Sequence, residues 1–425
     1  MDKRHIPTVL ISILLMIGVS GCASSSHETE LKNINLDDVA FAIPLHEASD
    51  APASLNRSQM VFVSRSGNYQ VHDGTAMFSL EPAWTSRGLL YADSSNDYFV
   101  GRNSVHTKTV ANRKTDFQYA SIAYGDNARL TIYNSGMQDK LDGQIEVAKT
   151  DGSYSTRNYS TRGTGAAVSL AECNGEVYGI SGDDPDYTRL RLMKFTQHGK
   201  ATFRELKGLH IFKDAFSGEV LKTIGGAPTI SAFPTGSTLL PCSGGVLHFI
   251  TSISKSQTEA SKEVLVYGTW DISTGKTTYV PLRNEKGALL TNEYGDYGGE
   301  WSGYDYDQQS FDGVTHTFVS SETGRLMQTD VETGITRVLD APKITGGAPY
   351  NGRIYLRSSK TRFYVFMLPM NDDGGIHSTV RIYDRHTSKL IKIFTIDDQF
   401  TQHLQNDSVQ NGPPVINPAE PLFKE

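Results

Sequence analysis

Hydrophobic residues along most of the chain stand in short runs that end at turn-forming residues. The runs are rich in Val, Ile, Tyr, Phe and Thr, as in MVFVS, RLTIY, IEVAK, VLHFI, RIYLR and VRIYD. Gly, Asn, Asp and Ser separate the runs, and these are the residues that tight turns favour. We find no long segment with apolar residues at helical spacing, so the pattern predicts an all-β protein.

Three segments in the C-terminal half repeat one motif, in which one strand ends in Asp and the next begins after Thr-Gly or Thr-Ser. They are WDISTGKTTYV, TDVETGITRVL and YDRHTSKLIKI, with aspartates at Asp271, Asp330 and Asp384. Asp can accept hydrogen bonds from its own turn, and Gly adopts the positive φ that a tight turn needs. Each segment is therefore predicted to be a β-hairpin, and KDAFSGEVLKT around Asp214 is a weaker copy.

A second marker places Asn, Asp or Ser before Gly at the start of a strand, in CNGEVYGIS, SGGVLHFIT, DGVTHTFVS and NGRIYLRSS. Marker and hairpin together describe a four-stranded antiparallel unit, and such units in series are typical of β-propeller blades. The chain divides into units at 80–115, 117–165, 166–207, 229–285, 300–340 and 345–397. Residues 58–78 and 208–228 add further strands. We therefore expect a propeller of six or seven blades over residues 58–400, with a pair of β-sandwiches as the alternative.

The Asp-x-x-Thr-Gly hairpin resembles the hairpins of quinoprotein-like and YVTN-type β-propellers. The resemblance covers only some of the repeats, and it implies a fold but no activity. The tryptophan motif of quinoprotein propellers does not recur, because the chain contains only Trp84, Trp270 and Trp301. The Trp-Asp pair that closes the repeats of WD propellers occurs once, at Trp270-Asp271.

The first residues predict a secretory signal. A cationic start, MDKRH, precedes the apolar run IPTVLISILLMIGVS, which is shorter than the roughly 20 residues of a spanning helix. The following Val19-Ser20-Gly21-Cys22 resembles the lipobox of bacterial lipoproteins. The resemblance implies cleavage after Gly21 and a diacylglyceryl group on the Cys22 thiol. The alternative is an ordinary secretory signal in which Cys22 has no role.

This interpretation divides the chain into a signal peptide at 1–21, a lipidated cysteine with a polar tether at 22–57, the propeller, and a Pro-rich polar tail at 401–425. VAFAI within the tether alternatively forms a strand that pairs later. Two or more acyl chains, palmitate among them, give stable attachment to a membrane. The expected location is the extracytoplasmic side of the cell envelope, with the inner and outer membranes not distinguished.

Two further cysteines, Cys173 and Cys242, precede equivalent markers in LAECNGEVYGI and LLPCSGGVLHF. Equivalent positions in adjacent repeats approach each other near a propeller axis, and an oxidising compartment favours a disulfide. Such a bond would join neighbouring blades. Two buried, reduced cysteines are the alternative. The sequence has no CxxC redox motif.

The formal net charge is −7, and removal of residues 1–21 makes it −8 because Asp2, Lys3 and Arg4 leave. A mildly acidic chain without basic clusters is a poor candidate for binding nucleic acid or for a polybasic contact with anionic lipid. The expected membrane contact is therefore the lipid on Cys22.

Residues 293–307, EYGDYGGEWSGYDYD, combine tyrosines, a tryptophan and acids. They are compatible with a sugar- or cation-binding rim. The favoured interpretation is a loop and inner strand whose tyrosines pack between blades and whose acids face water. Acidic turn chemistry likewise accounts for 181–189, 370–377 and Asp305–Asp307 better than calcium loops do. The 12 histidines form no zinc motif, and we predict no catalytic, cofactor-binding or metal-ligating residue.

These observations favour a lipid-anchored propeller that binds or scaffolds an envelope protein or a glycan. The alternative is an envelope enzyme, a hydrolase or lyase acting on a carbohydrate or lactone, with polar side chains from several blades at the channel mouth. A sensor domain for a small molecule is a third possibility that the sequence does not separate from the first.

Overall fold

The structure is a computed structural model whose described residues form seven β-sheets, antiparallel except for the short β22 (Arg283–Asn284), which runs parallel to its neighbour. The described residues are 30–47, 57–110, 113, 117–137, 140–162, 168–182, 189–206, 210–211, 215–216, 218–226, 229–232, 239–255, 263–292, 303–343, 350, 352–369, 377–406 and 409–419. The sheets are the blades of one β-propeller ring. The all-β prediction is confirmed, and seven is the correct number of blades.

The N-terminal half supplies most of blade 1 and all of blades 2 to 4. The strands of blade 1 are β1 (Val39–Glu47), β2 (Arg57–Ser64) and β3 (Tyr69–Thr75). Those of blade 2 are β4 (Ala83–Thr85), β5 (Gly88–Ala92), β6 (Asn96–Gly101) and β7 (Val105–Thr109). Those of blade 3 are β8 (Gln118–Tyr124), β9 (Ala128–Met137), β10 (Lys140–Lys149) and β11 (Tyr154–Arg162). Those of blade 4 are β12 (Val168–Cys173), β13 (Glu176–Gly182), β14 (Arg189–Gln197), β15 (Lys200–Glu205) and the short β16 (His210–Ile211).

The C-terminal half supplies blades 5 to 7 and returns to blade 1. The strands of blade 5 are β17 (Thr229–Ala232), β18 (Cys242–Ser243), β19 (Val246–Ser254), β20 (Glu263–Asp271) and β21 (Thr277–Pro281). Next come β22 (Arg283–Asn284), which joins blade 6, and β23 (Thr291–Asn292), which joins blade 5. Those of blade 6 are β24 (Tyr304–Asp305), β25 (Thr315–Ser320), β26 (Leu326–Asp330) and β27 (Ile335–Asp340). Those of blade 7 are β28 (Gly352–Ser358), β29 (Arg362–Pro369), β30 (Thr379–Asp384) and β31 (Leu390–Thr395). The last strands are β32 (Val409–Asn411) and β33 (Val415–Ile416), and the helices are a 3-10 turn (Leu31–Asn33), α1 (Glu219–Ile224) and α2 (Asp398–Asn406).

The ring closes through blade 1, which takes strands from both ends of the chain. β1 pairs with β33 through Phe41 opposite Ile416, and β1 also pairs with β32. The Asn417 Nδ2 donates hydrogen bonds to the carbonyls of Leu36 and Val39 at 3.0 and 2.9 Å. The two ends of the chain are thus held together by backbone pairing and by one amide side chain.

Two segments that composition assigned to the tether and the tail therefore belong to the ring. Residues 39–47 form β1 and residues 409–416 contain β32 and β33. The physical reason is burial on both faces of β1: Phe41 packs toward blade 7 and Ala42 toward blade 2, both almost completely buried. The alternative prediction for VAFAI, a strand that pairs later, is therefore confirmed: these residues form the first part of β1.

The three predicted hairpins join the third and fourth strands of blades 5, 6 and 7. In blade 6 the Asp330 Oδ1 accepts the Thr333 N–H at 2.8 Å, and Gly334 has φ +72°. A Cβ at Gly334 would lie 2.4 Å from the Pro281 carbonyl oxygen, so glycine is required there. The hairpin prediction is confirmed, but the weaker copy is wrong, because residues 219–224 form helix α1.

The Gly markers differ in position between blades. In blades 4, 5 and 6 the marker lies at the turn between the first and second strands, as at Asn174-Gly175 before β13. In blade 7 it precedes β28, the innermost strand, so NGRIYLRSS is one strand out of register with the other three. The same Asn/Asp/Ser-Gly marker thus precedes the second strand in blades 4 to 6 and the innermost strand in blade 7.

The ring has two faces, which we name by their connections. The hairpin face carries the turns between the first and second and between the third and fourth strands of each blade. The far face carries the turns between second and third strands and the connections between blades. In blade 1 the innermost strand β33 and the second strand β1 are not joined, so both described chain ends leave from the hairpin face.

Candidate functional site

Four charged side chains from three blades meet near the ring axis. They are Glu81, which precedes β4, Asp305 in β24, Asp307 just after it, and Arg357 in β28. Innermost strands line the centre of a propeller, so these residues lie around its axis. Each residue is buried, with 4 to 7% of its surface exposed. We call this group the axial cluster.

Arg357 is the centre of the axial cluster. Its Nη1 donates to the Asp305 Oδ2 at 2.8 Å, and its Nε donates to the carbonyl of Pro414 at 2.8 Å. Its guanidinium carbon lies 5.5 Å from the centre of the Tyr355 ring, within cation–π range. One side chain therefore connects blade 6, blade 7 and the C-terminal part of blade 1.

The three acids accept backbone hydrogen bonds from the neighbouring blade. The Glu81 Oε2 accepts the Ser121 N–H at 2.6 Å, and this bond joins blade 2 to blade 3. The Asp305 Oδ2 accepts the Leu356 N–H at 2.7 Å. The Asp307 Oδ2 accepts the N–H of Ser358, in the same strand. Since buried backbone donors need partners, these carboxylates hold innermost strands together.

The electrostatic environment makes two of these acids unusual. Burial raises the pKa of Asp307 to about 6, although Arg357 and the Ser358 N–H act in the opposite direction. Burial also raises the pKa of Glu81 well above its ordinary value, against the opposing effects of the Ser121 N–H and Arg357. A carboxyl group that titrates near neutral pH can donate and accept protons in general acid–base chemistry.

The acidic, aromatic stretch at 293–307 behaves differently from its prediction in one respect. Tyr306 packs between blades as expected: it is fully buried, and its hydroxyl accepts the Ile250 N–H at 2.9 Å. The acids Asp305 and Asp307 do not face water, because they are bound by Arg357 and the backbone of blade 7. Residues 293–302 lie outside the described residues.

The other acidic loops cannot be placed, because 183–188 and 370–376 also lie outside the described residues. Within the part of the chain that the structure describes, no group of three His, Cys, Asp or Glu residues is arranged to hold a metal ion.

Sequence patterns pointed to only part of the axial cluster. Glu81 stands in no motif, and ring closure brings it near Arg357. Arg357 lies within the marker NGRIYLRSS, but that pattern predicts a strand and gives no sign of a charged partner. Asp305 and Asp307 alternate with Tyr304 and Tyr306, which is the period of a strand. That alternation would have placed both acids on one face of an inner strand, opposite the tyrosines.

The two predicted cysteine positions come together. Cys173 ends β12 and Cys242 begins β18, so they lie on the inner parts of blades 4 and 5. Their Cα atoms are 5.5 Å apart and their sulfur atoms are in bonding contact. This Cα separation is typical of disulfides. The Leu240 N–H donates to the Leu170 carbonyl at 2.7 Å across the same seam. Cys22 lies outside the described residues.

An open cleft of about 160 Å³ lies on the hairpin face beside the chain ends. Its lining includes Leu36, Trp84, Arg87, Arg102 and Pro418. The Trp84 ring is partly exposed, and the Arg102 Nε lies 3.0 Å from the Asp37 Oδ1 in an exposed ion pair. An aromatic face beside guanidinium groups suits a small ligand with a flat or anionic group.

No protein-family model matches the chain, and no curated protein matches it. Among solved structures, AztD from Citrobacter koseri is similar over 89% of this chain and 97% of its own, with 10% identity and a TM-score of 0.40. A protein from Bacteroides uniformis, provisionally assigned as a 6-phosphogluconolactonase, is similar over 88% of this chain and 99% of its own, with 11% identity and a TM-score of 0.47. Such values carry no argument about ligand or activity. The likeness to quinoprotein-like and YVTN-type propellers stays a prediction.

Proposed function

We propose that this chain is a lipid-anchored propeller lipoprotein that acts outside the cytoplasm as a binding or scaffolding module. Its partner is an envelope protein or a glycan. The anchor is the acylated Cys22, with palmitate among its chains, behind a signal peptide of residues 1–21. Among the described residues, no helix is long and apolar enough to cross a membrane.

The observation that carries the proposed location is the meeting of Cys173 and Cys242. Their Cα atoms are 5.5 Å apart although 69 residues separate them in the chain. Disulfides persist in oxidising compartments outside the cytoplasm and are rare inside it. We propose that the two cysteines are bonded in the mature protein and tie blade 4 to blade 5.

The binding role is supported by the way the ring is built. Backbone pairing closes blade 1, the axial cluster joins innermost strands, and the cysteine pair joins two more blades. Such a frame holds surface loops in fixed positions, and loops on a rigid scaffold commonly carry recognition. Function belongs to the site and not to the fold, so the partner has to be identified by experiment.

Mass analysis of the protein isolated from envelopes tests the anchor. The expected result is a mature chain that begins at Cys22 and carries diacylglyceryl mass, and a Cys22→Ala control that lacks it. A chain that begins elsewhere, or that has no lipid, contradicts the anchor. Crosslinking in intact envelopes followed by identification of the attached molecules then tests the binding role.

Thiol alkylation before and after reduction tests the location independently of the lipid. We expect Cys173 and Cys242 to react only after reduction in protein taken from envelopes. A Cys242→Ser variant is the matched control, since it frees Cys173 without removing it. Alkylation of both cysteines without reduction would contradict an oxidising location.

The axial cluster favours a second candidate, an envelope hydrolase or lyase that acts on a carbohydrate or lactone. The supporting observation is Asp307, whose pKa of about 6 suits proton transfer, beside the cationic Arg357. A panel of sugar lactones and glycosides, assayed with wild type and Asp307→Asn, tests this candidate. Asp330→Asn, in an exposed hairpin, is the control. Absence of turnover, or turnover that Asp307→Asn leaves unchanged, contradicts it.

A further inference from the structure

The first described residues attach the chain firmly to the hairpin face. Leu31, Ile34 and Leu36 are buried, with 6, 6 and 3% of their surface exposed, and they belong to the core between blades 1 and 2. The Asp37 carboxylate pairs with Arg102, at the turn between β6 and β7 on the hairpin face. Residues 31–47 are therefore part of the folded ring.

The length of chain between this attachment point and Cys22 is short compared with the height of the ring. Leu31 is nine residues after Cys22. Nine residues reach at most about 30 Å when fully extended, and a flexible chain of that length spans roughly 15 to 18 Å. Strand β20, Glu263–Asp271, alone rises about 30 Å between the two faces.

We propose that the anchor turns the hairpin face toward the membrane and the far face away from it. This inference rests on the proposed lipid anchor. A linker of this length keeps the hairpin face close to the lipid surface, while the far face stands farther away by the height of a blade.

The charges beside the attachment point fit contact through the lipid alone. Arg102 is paired with Asp37, and the Arg65 Nε lies 3.9 Å from an oxygen of Asp38. Two of the basic groups near the point where the chain leaves the ring therefore have an acidic partner. The chain as a whole has a formal net charge of −7, so anionic lipids attract it little. The short linker is therefore the constraint that sets the orientation.

Two matched labels in blade 5 test the orientation. Lys276 is exposed at the hairpin between β20 and β21, on the hairpin face, and Lys255 is exposed after β19, on the far face. Lys276→Cys and Lys255→Cys make the same change of charge in the same blade. Each acylated protein, carrying a fluorescent label on the new thiol, is bound to vesicles that contain acceptor-labelled phosphatidylcholine.

The expected result is more efficient energy transfer from position 276 than from position 255. A Gly-Ser insertion of about 20 residues after Ser25 should reduce the difference, because a longer linker relaxes the constraint. Equal or reversed transfer in protein that co-sediments with the vesicles overturns the orientation but leaves the anchor standing. Protein that does not co-sediment overturns the anchor itself, and the inference falls with it.

Discussion

Two seams between neighbouring blades both bury polar side chains between packed sheets, one as charged groups and the other as neutral rings. The seam between blades 2 and 3 buries two arginines and two acids, which we call the charged seam. The seam between blades 5 and 6 buries two histidines among aromatic rings, which we call the neutral seam. Both are buried contacts between sheet faces, so the difference lies in the side chains and not in the backbone.

The charged seam is a network of short ion pairs. The Arg113 Nη2 lies 2.7 Å from the Asp97 Oδ1 and 3.2 Å from the Glu146 Oε2. The Arg129 Nη2 lies 3.2 Å from the same Asp97 oxygen and 3.5 Å from the Glu146 Oε1. The Tyr154 hydroxyl donates to Glu146 at 2.6 Å. Only 1% of either arginine side chain is exposed.

The neutral seam relies on ring contacts. The His248 Nδ1 is 2.6 Å from the Tyr267 hydroxyl, and its ring stacks on Phe311 with centroids 4.1 Å apart. His316 is fully buried edge-on to Tyr306, with centroids 4.6 Å apart. Neither ring nitrogen of His316 has a hydrogen-bond partner among the described residues. Burial lowers the pKa of His248 to about 4 and that of His316 to about 3.

The comparison separates two kinds of vulnerability. Buried charges are costly unless every member of the network is present, so the charged seam is sensitive to the loss of one partner. Buried neutral histidines need no counter-ion, so the neutral seam is sensitive to protonation. Acid has the opposite effect on the stability of the charged seam. Burial and the nearby Glu146 raise the pKa of Asp97 to about 7, so protonation of this carboxyl group favours the folded state.

The largest expected effect is the removal of one acid from the charged seam. Glu146→Gln keeps the shape but leaves two buried arginines with one acid, and breaking a buried ion pair costs about 3 to 5 kcal/mol. The free energy of unfolding in urea measures it. Glu205→Gln is the control, because Glu205 is half exposed beside Arg191, and exposed pairs contribute at most about 1 kcal/mol. Equal losses in the two variants would contradict the network.

The next effect is the response of the neutral seam to acid. A histidine in the unfolded chain has a pKa of about 6.5, so between pH 6.5 and 4 the unfolded state takes up protons that the folded state excludes. Stability therefore falls as the pH falls through that window, by about 3 kcal/mol for His316. His316→Leu should remove this part of the pH dependence of urea unfolding. The exposed His377→Leu should not, and an unchanged acid slope in His316→Leu would refute the assignment.

A smaller effect is expected from the second acid of the charged seam. Asp97→Asn resembles the protonated form that the raised pKa favours, so we expect a loss of about 1 to 2 kcal/mol, less than for Glu146→Gln. The sign of the pH dependence follows: the Asp97 contribution is complete at low pH and is lost as the pH rises through about 7. If Asp97→Asn destabilises more than Glu146→Gln, the two acids have been assigned the wrong roles.

The smallest effect is that of salt. Buried pairs are screened much less than exposed ones, so raising NaCl from low to molar concentration should change the difference between wild type and Glu146→Gln by less than about 0.5 kcal/mol. Paired urea titrations measure this. A large salt dependence would mean that water reaches the charged seam.

Much of the ring could be predicted because a blade is a local object. Its strands follow one another in the chain, and their turns have recognisable residues such as Asp330 and Gly334. Six predicted units match blades 2 to 7, and the seventh blade is built from segments at opposite ends of the chain. No local sequence pattern indicates that Phe41 lies opposite Ile416. Composition alone therefore places residues 39–47 in the tether and residues 409–416 in the tail.

The candidate site was harder to predict for the same reason. Glu81 and Arg357 are brought near each other by ring closure. Glu81 stands in no motif, and the marker that contains Arg357 predicts a strand but no charged partner. The cysteines were an exception, because Cys173 and Cys242 occupy equivalent positions in adjacent repeats, and repeats convert equivalent positions into spatial neighbours. The position of a residue within a repeat therefore predicts its neighbours in the adjacent blade. Contacts across the closing blade cannot be predicted in this way, because they join segments from opposite ends of the chain.

The closure of blade 1 has a consequence for how the chain is made. The Asn417 side chain donates to the carbonyl of Val39 across 378 residues. One edge of β1 pairs with the neighbouring β2, but its inner edge stays unpaired until the latest residues have been made. Until then β1 presents an open, apolar edge of the kind that aggregates or attracts proteases. A chain cut short before residue 409 keeps that edge exposed for its whole lifetime. Residues 409–416 are therefore needed to complete blade 1 and to close the ring.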